Sequence, residues 1–133
     1  MAHGRLLIID DDPDIGRLLR RIFGSEYEVA LTEKPEDALA LLQSGRRFDC
    51  ILCDVCMPKL NGVETLRMIG EIDPAQADRL IFVTAYPPAA ATVERSTRRT
   101  IVQKPFQTLR LRELVEARMA APIDEWDEPT VVS

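Results

Sequence analysis

At 133 residues the chain is one domain's worth, long enough to bury a substantial core. Its composition, 46% hydrophobic and 29% charged with few aromatics, is that of an ordinary soluble globular protein. No apolar run approaches the length of a membrane span, and a net charge of −5 argues against direct nucleic-acid binding, because an acidic surface repels phosphate backbones.

The opening residues, Met1 to Arg5, lead straight into a short apolar run with no cleavage site behind it, so no secretory leader is predicted and a cytoplasmic location is expected. Leu6-Leu7-Ile8-Ile9 is continuously apolar, the mark of a strand covered on both faces. Pro13 suits a first helical turn, and Ile15, Leu18, Leu19, Ile22 and Phe23 follow at helical spacing, with Gly24 as a stop. Tyr27 to Leu31 alternates as a short strand. Pro35 opens a second helix whose apolar face is Ala38, Leu39, Leu41 and Leu42, and Gly45 closes it. Phe48 to Cys53 reads as a third strand, and Met57 to Gly62 is turn chemistry. Val63, Leu66, Ile69 and Ile72 mark a third helix, Leu80 to Val83 a fourth strand, and Thr100 to Val102 a fifth. Between those two strands, Pro87 to Arg99 is poorly patterned and reads as a short or irregular helix. Leu111, Leu114, Val115 and Arg118 or Met119 give the last helix one buried stripe, and Pro122 ends it.

Five β–α units with short connections predict an α/β fold, a five-stranded parallel sheet doubly wound with helices on both faces. The domain is expected over residues 1–121. Residues 122–133 read as a tail without periodicity, carrying the only tryptophan, Trp126, among the acids Asp124, Glu125, Asp127 and Glu128. The plain expectation there is a mobile terminus; the sharper one is a segment docked against Arg95, Arg98 and Arg99 or a partner.

In an open α/β sheet, ligands bind at the carboxyl ends of the strands. Asp10, Asp11 and Asp12 follow the first strand, Asp54 the third, Thr84 the fourth and Lys104 the fifth. Carboxylates gathered on one rim repel, and a proton or a hard cation relieves them. Oxygen ligands without His or Cys favour Mg²⁺ or Mn²⁺ over zinc, leaving the Thr84 hydroxyl and Lys104 ammonium to hold phosphate oxygens. This set suits phosphoryl transfer to a carboxylate, with Asp54 as nucleophile. Each residue alone has a plainer role: Asp12 before Pro13 is a good helix N-cap, an isolated threonine is usually structural, and an isolated lysine is usually a solvated surface charge. Successive strand ends are what single out Thr84 and Lys104.

Cys50, Cys53 and Cys56 have the spacing of part of an iron–sulfur ligand run. On a strand, residues three apart point to opposite faces, and Cys50 and Cys56 would lie roughly 20 Å apart. They read as small buried hydrophobes.

On these residues the chain resembles the receiver domain of response regulators, from Arg5 to about Met119. The anchors are Leu6 to Pro13, the run Asp49 to Pro58 followed by Asn61-Gly62, then Val83-Thr84-Ala85, and Lys104-Pro105-Phe106. The resemblance implies the flavodoxin-like strand order 2-1-3-4-5. It implies that Asp54 is phosphorylated by a histidine kinase or histidine phosphotransfer protein, and that Asp10, Asp11, Asp54 and the Cys56 backbone carbonyl hold Mg²⁺. Thr84 and Lys104 would hold phosphoryl oxygens, and the peptide before Pro105 would be cis. Output would come through the face made by the fourth helical segment, the fifth strand and the last helix, by conformational change or homodimerisation. Such a chain is a signalling module rather than an enzyme, and the residues after Met119 are too few for an output domain.

Three features depart from that pattern. Ile101 stands where an aromatic switch residue is usual, Ser96 to Arg99 replaces a Gly-Ala pair, and Pro87 and Pro88 follow Tyr86, as in receivers at the ends of hybrid histidine kinases. Tyr86 and Cys56 occupy the positions that tune phosphoryl hydrolysis, and a bulky Tyr86 implies slow self-dephosphorylation. A receiver excised from a hybrid kinase and a phosphorylation-independent interaction module are the alternatives. A haloacid-dehalogenase-type hydrolase would need a second Asp where Cys56 stands, and a flavodoxin-like cofactor binder would need a donor-rich loop in place of three aspartates.

Overall fold

The apolar runs do form strands, and their register is what builds the rim. The computed structural model describes residues 4–55, 57, 60–84, 101–103 and 108–120. The strands are β1 (Arg5–Ile9), β2 (Glu28–Thr32), β3 (Cys50–Asp54), β4 (Leu80–Thr84) and β5 (Ile101–Gln103). All pair in parallel in the order β2-β1-β3-β4-β5, as expected. The helices are α1 (Pro13–Phe23), α2 (Pro35–Gln43), α3 (Gly62–Ile72), α4 (Pro74–Ala77) and α5 (Thr108–Ala120). The segment Pro87 to Arg99 and residues 121–133 lie outside the described residues.

Strand parity divides the core into two layers. Leu7, Ile9, Ile51, Cys53, Leu80 and Phe82 pack against α2 and α3; Leu6, Ile8, Cys50, Leu52, Ile81 and Val83 pack against α1 and α5. Central strands buried on both sides have no polar face to alternate with, which is why they read as unbroken apolar runs. The same parity separates Cys50 from Cys53, which lie on opposite sides of the sheet. Burial pushes the Cys50 thiol up to about 12 and that of Cys53 further up, so both stay protonated at neutral pH, unsuited to holding metal as thiolates.

The helix ends follow local chemistry. Asp12 caps α1, its carboxylate accepting from the Asp14 amide at 2.9 Å. At the end of α2, Gly45 takes φ +96° and its amide donates to the Leu42 carbonyl, while the Arg46 amide reaches back to Leu41. That is a left-handed cap that only glycine forms without strain.

The four-residue α4 was not expected, and it has a clear task. Asp73 ends α3 and caps α4 through the Ala75 amide. The turn delivers Gln76, fully buried, to the edge of Phe48: its Oε1 accepts from the Phe48 amide at 2.7 Å and its Nε2 donates to the Phe48 carbonyl at 2.9 Å. Gln76 thus completes the backbone pairing just before β3 begins. Gln76→Ala is expected to lower stability by roughly 2–4 kcal/mol, since two buried backbone groups lose their partners; urea denaturation measures it.

Candidate functional site

Parallel register carries the polar residues to one rim. Ile9 pairs with Cys53, so Asp10, one residue on, lies beside Asp54. Asp54 pairs with Val83, which puts Thr84 one step further along the neighbouring strand. Asp54 and Thr84 are the last residues of β3 and β4 rather than residues that follow them. Asp10 and Asp54 also share the parity of the α1 and α5 side of the sheet. Among the described residues, ligand oxygens of Asp10, Asp11 and Asp54 all come within 4.8 Å of one another.

Their surroundings differ. Asp10 is 2% exposed and Asp54 7%, whereas Asp11 faces solvent. Thr84 is fully buried. Asp10 does two things at once: its Oδ1 accepts from the Asp12 amide at 2.9 Å, shaping the turn into α1, while its carboxylate remains part of the cluster. Asp12, by contrast, is occupied in capping α1, the role its place before Pro13 predicts.

Two further residues hold this rim in place, one absent from the sequence reading and one that it gives only as a turn residue. Thr32 ends β2; its carbonyl accepts from the Asp10 amide at 3.1 Å and its buried hydroxyl donates to the Ile8 carbonyl at 2.9 Å. Thr32 stands one residue beyond the apolar alternation of Tyr27 to Leu31, the last residue of its strand as Asp54 and Thr84 are of theirs. The other is Gly62, at the start of α3. Its amide donates to the Val55 carbonyl at 2.7 Å, and a Cβ there would sit 2.6 Å from the Asp54 carbonyl oxygen and 2.8 Å from the Val55 Cα. Both obstacles are backbone, so the Asn61-Gly62 turn closes on the end of β3 only because the second residue has no side chain. Asn61 fixes the same turn by capping α3 through the Glu64 amide.

Cys56, Tyr86, Lys104 and Pro105 lie outside the described residues. Ile101 is described: it opens β5 and packs, partly buried, against the α2 and α3 side of the core.

The donor set fits a hard divalent cation. It is all oxygen, carries up to three negative charges, and has one exposed member, so a bound ion would keep solvent-facing positions. The Cys53 thiol, the nearest soft donor in sequence, is protonated and donates to the Asp54 carbonyl at 3.3 Å.

Comparison with known proteins points the same way. The sequence model of the response regulator receiver domain matches residues 6–116. The response regulator receiver protein CpdR of Brucella abortus is 31% identical over 114 residues, which cover 84% of this chain and 90% of that protein. The transcriptional regulatory protein ZraR of Salmonella typhimurium is 32% identical over 125 residues, 90% of this chain but 28% of that protein. The chain therefore spans less than a third of ZraR. Among solved structures, a CheY-like receiver domain protein from Methanospirillum hungatei superposes with a TM-score of 0.75 over 87% of this chain and 93% of that one, at 24% identity. That likeness speaks to the fold. No helix among the described residues is long and apolar enough to cross a membrane.

Proposed function

The chain belongs to the response regulator receiver domain family, and from that premise we propose that it takes a phosphoryl group onto Asp54 from a phosphohistidine of a histidine kinase or histidine phosphotransfer protein. The convergence of the Asp10, Asp11 and Asp54 oxygens within 4.8 Å carries this reading. One Asp54 oxygen attacks phosphorus as the phosphorus–nitrogen bond of the donor breaks. The new bond is an acyl phosphate, and the departing imidazole keeps the electron pair and takes up a proton.

Asp10, Asp11, Asp54 and the Cys56 backbone carbonyl would hold Mg²⁺ or Mn²⁺. When bound, the ion offsets the charge of the carboxylates and of the incoming phosphoryl oxygens. Thr84 hydrogen-bonds one phosphoryl oxygen and Lys104 pairs with another. Tyr86 shields the acyl phosphate from water and slows its hydrolysis. Ile101, in place of an aromatic, means that output runs without a rotating ring at β5, through a downstream protein or a second copy. The receiver then comprises residues 1–121, with 122–133 as its tail.

The test is incubation with acetyl phosphate and Mg²⁺, followed by peptide mass mapping. A gain of one phosphoryl group on the peptide holding Asp54, absent when the metal is chelated, is expected. An unchanged mass overturns the assignment and leaves a phosphorylation-independent interaction module; a gain on a different residue overturns Asp54 as the acceptor.

A further inference from the structure

β2 is one of the two edges of the sheet, the other being β5. β2 pairs with β1 alone among the described strands, along its whole length from Glu28 to Thr32. In a parallel ladder alternate residues turn their amide and carbonyl groups away from the partner. Here the even-numbered residues serve β1, as the bonds from the Glu28 amide to Gly4 and from the Asp10 amide to the Thr32 carbonyl show. Val29 and Leu31 therefore face outward with their backbone groups. Such an edge invites another strand unless something covers it.

Beside that edge runs a groove of about 570 Å³, lined by Ala30, Leu31 and Leu41 and by charged side chains at its margins. Arg46 stands in the connection before β3, Lys34 in the connection after β2, and Arg20 in the last turn of α1. Glu33 and Asp37 also line it, so the cations outnumber the carboxylates. Arg46 approaches Glu28 at 3.9 Å, whereas Arg20 and Lys34 make no ion pair among the described residues.

The chain itself contains a segment that fits. α5 ends at Ala120, where the Met119 sulfur lies over Gly4, the residue that leads into β1 and accepts from the first amide of β2. Residues 121–133 thus continue from a point one strand away from the start of β2. They hold Asp124, Glu125, Asp127 and Glu128 around the only tryptophan, followed by the β-branched run Thr130-Val131-Val132. Extended, Asp124 to Glu128 spans roughly 13 Å, close to the length of a five-residue strand.

We propose that the segment Asp124 to Val132 binds in cis along the outer edge of β2, its acids facing Arg46, Arg20 and Lys34 and Trp126 resting on the apolar floor of the groove. Backbone bonds to Val29 and Leu31 supply affinity, and the cations select an acidic strand. This site is on the β2 side of the sheet, and it does not depend on phosphorylation of Asp54.

Trp126, as the sole tryptophan, is its own probe. In the full chain its emission is expected to be blue-shifted and protected from acrylamide relative to a synthetic peptide of residues 121–133. The shift should be independent of protein concentration and lost in Arg20→Glu/Lys34→Glu, two exposed changes whose far-UV circular dichroism should match the parent. Emission equal to that of the peptide, or a blue shift untouched by the double charge reversal, overturns the proposal. A blue shift that grows with protein concentration overturns the cis arrangement in favour of a second copy.

Discussion

Asp54→Asn is expected to take up no phosphoryl group from acetyl phosphate, and yet to be more stable than the parent in metal-free buffer. The first result follows from chemistry: the carboxamide has the shape of the carboxylate but no anionic oxygen with which to attack phosphorus. The second follows from the cluster. Ligand oxygens of Asp10, Asp11 and Asp54 lie within 4.8 Å of one another, two of the three residues being buried. Like charges at that separation, at the effective dielectric of a protein surface, repel strongly enough that removing one is expected to raise stability by roughly 1–2 kcal/mol after solvent screening. Urea midpoints in the presence of a chelator check this, alongside intact mass after acetyl phosphate treatment. A variant that still gains mass would show that Asp54 is not the acceptor. A variant destabilised in chelator would show that the carboxylates are not the source of strain.

The rim was legible because its parts sit at strand ends, and strand ends are marked by where apolar runs stop. Ile9 to Asp10 and Cys53 to Asp54 are such borders, and a parallel sheet aligns them without further information. Legibility failed where spacing depends on a neighbour. Leu18 was expected on the buried face of α1 but is 41% exposed. The buried line of that helix passes instead through Gly16, where a Cβ would meet the Leu31 side chain at 2.7 Å, and on through Leu19 and Phe23. A hydrophobicity pattern cannot register a glycine as a contact surface. α4 is too short to show a period at all, and its value lies in one glutamine whose partner is 28 residues earlier. Gly62 read as a turn residue. That its missing side chain makes room for the carbonyl of Asp54 is a fact of three dimensions only.

Mg²⁺ is expected to stabilise the protein, and Asp10 and Asp11 should divide that effect unequally. A ligand that binds the folded state alone adds about 2.7 kcal/mol at a hundredfold excess over its Kd. In the parent, the urea midpoint should therefore move upward on adding Mg²⁺. Asp11 is exposed and makes no hydrogen bond among those described for the rim, so Asp11→Ala should remove most of that movement while leaving metal-free stability unchanged or higher. Asp10 is different, because its Oδ1 also accepts from the Asp12 amide in the turn that starts α1. Asp10→Ala should lose the response to Mg²⁺ and, besides, the turn bond. Loss of that bond costs about 1 kcal/mol, set against the relief of charge repulsion, so its metal-free midpoint should fall below that of Asp11→Ala. If Asp11→Ala keeps the full Mg²⁺ shift, the ion is not held by this cluster. If the two alanine variants have equal midpoints without metal, the bond from Asp12 to Asp10 does not support the turn, and the buried carboxylate is there for the ion alone.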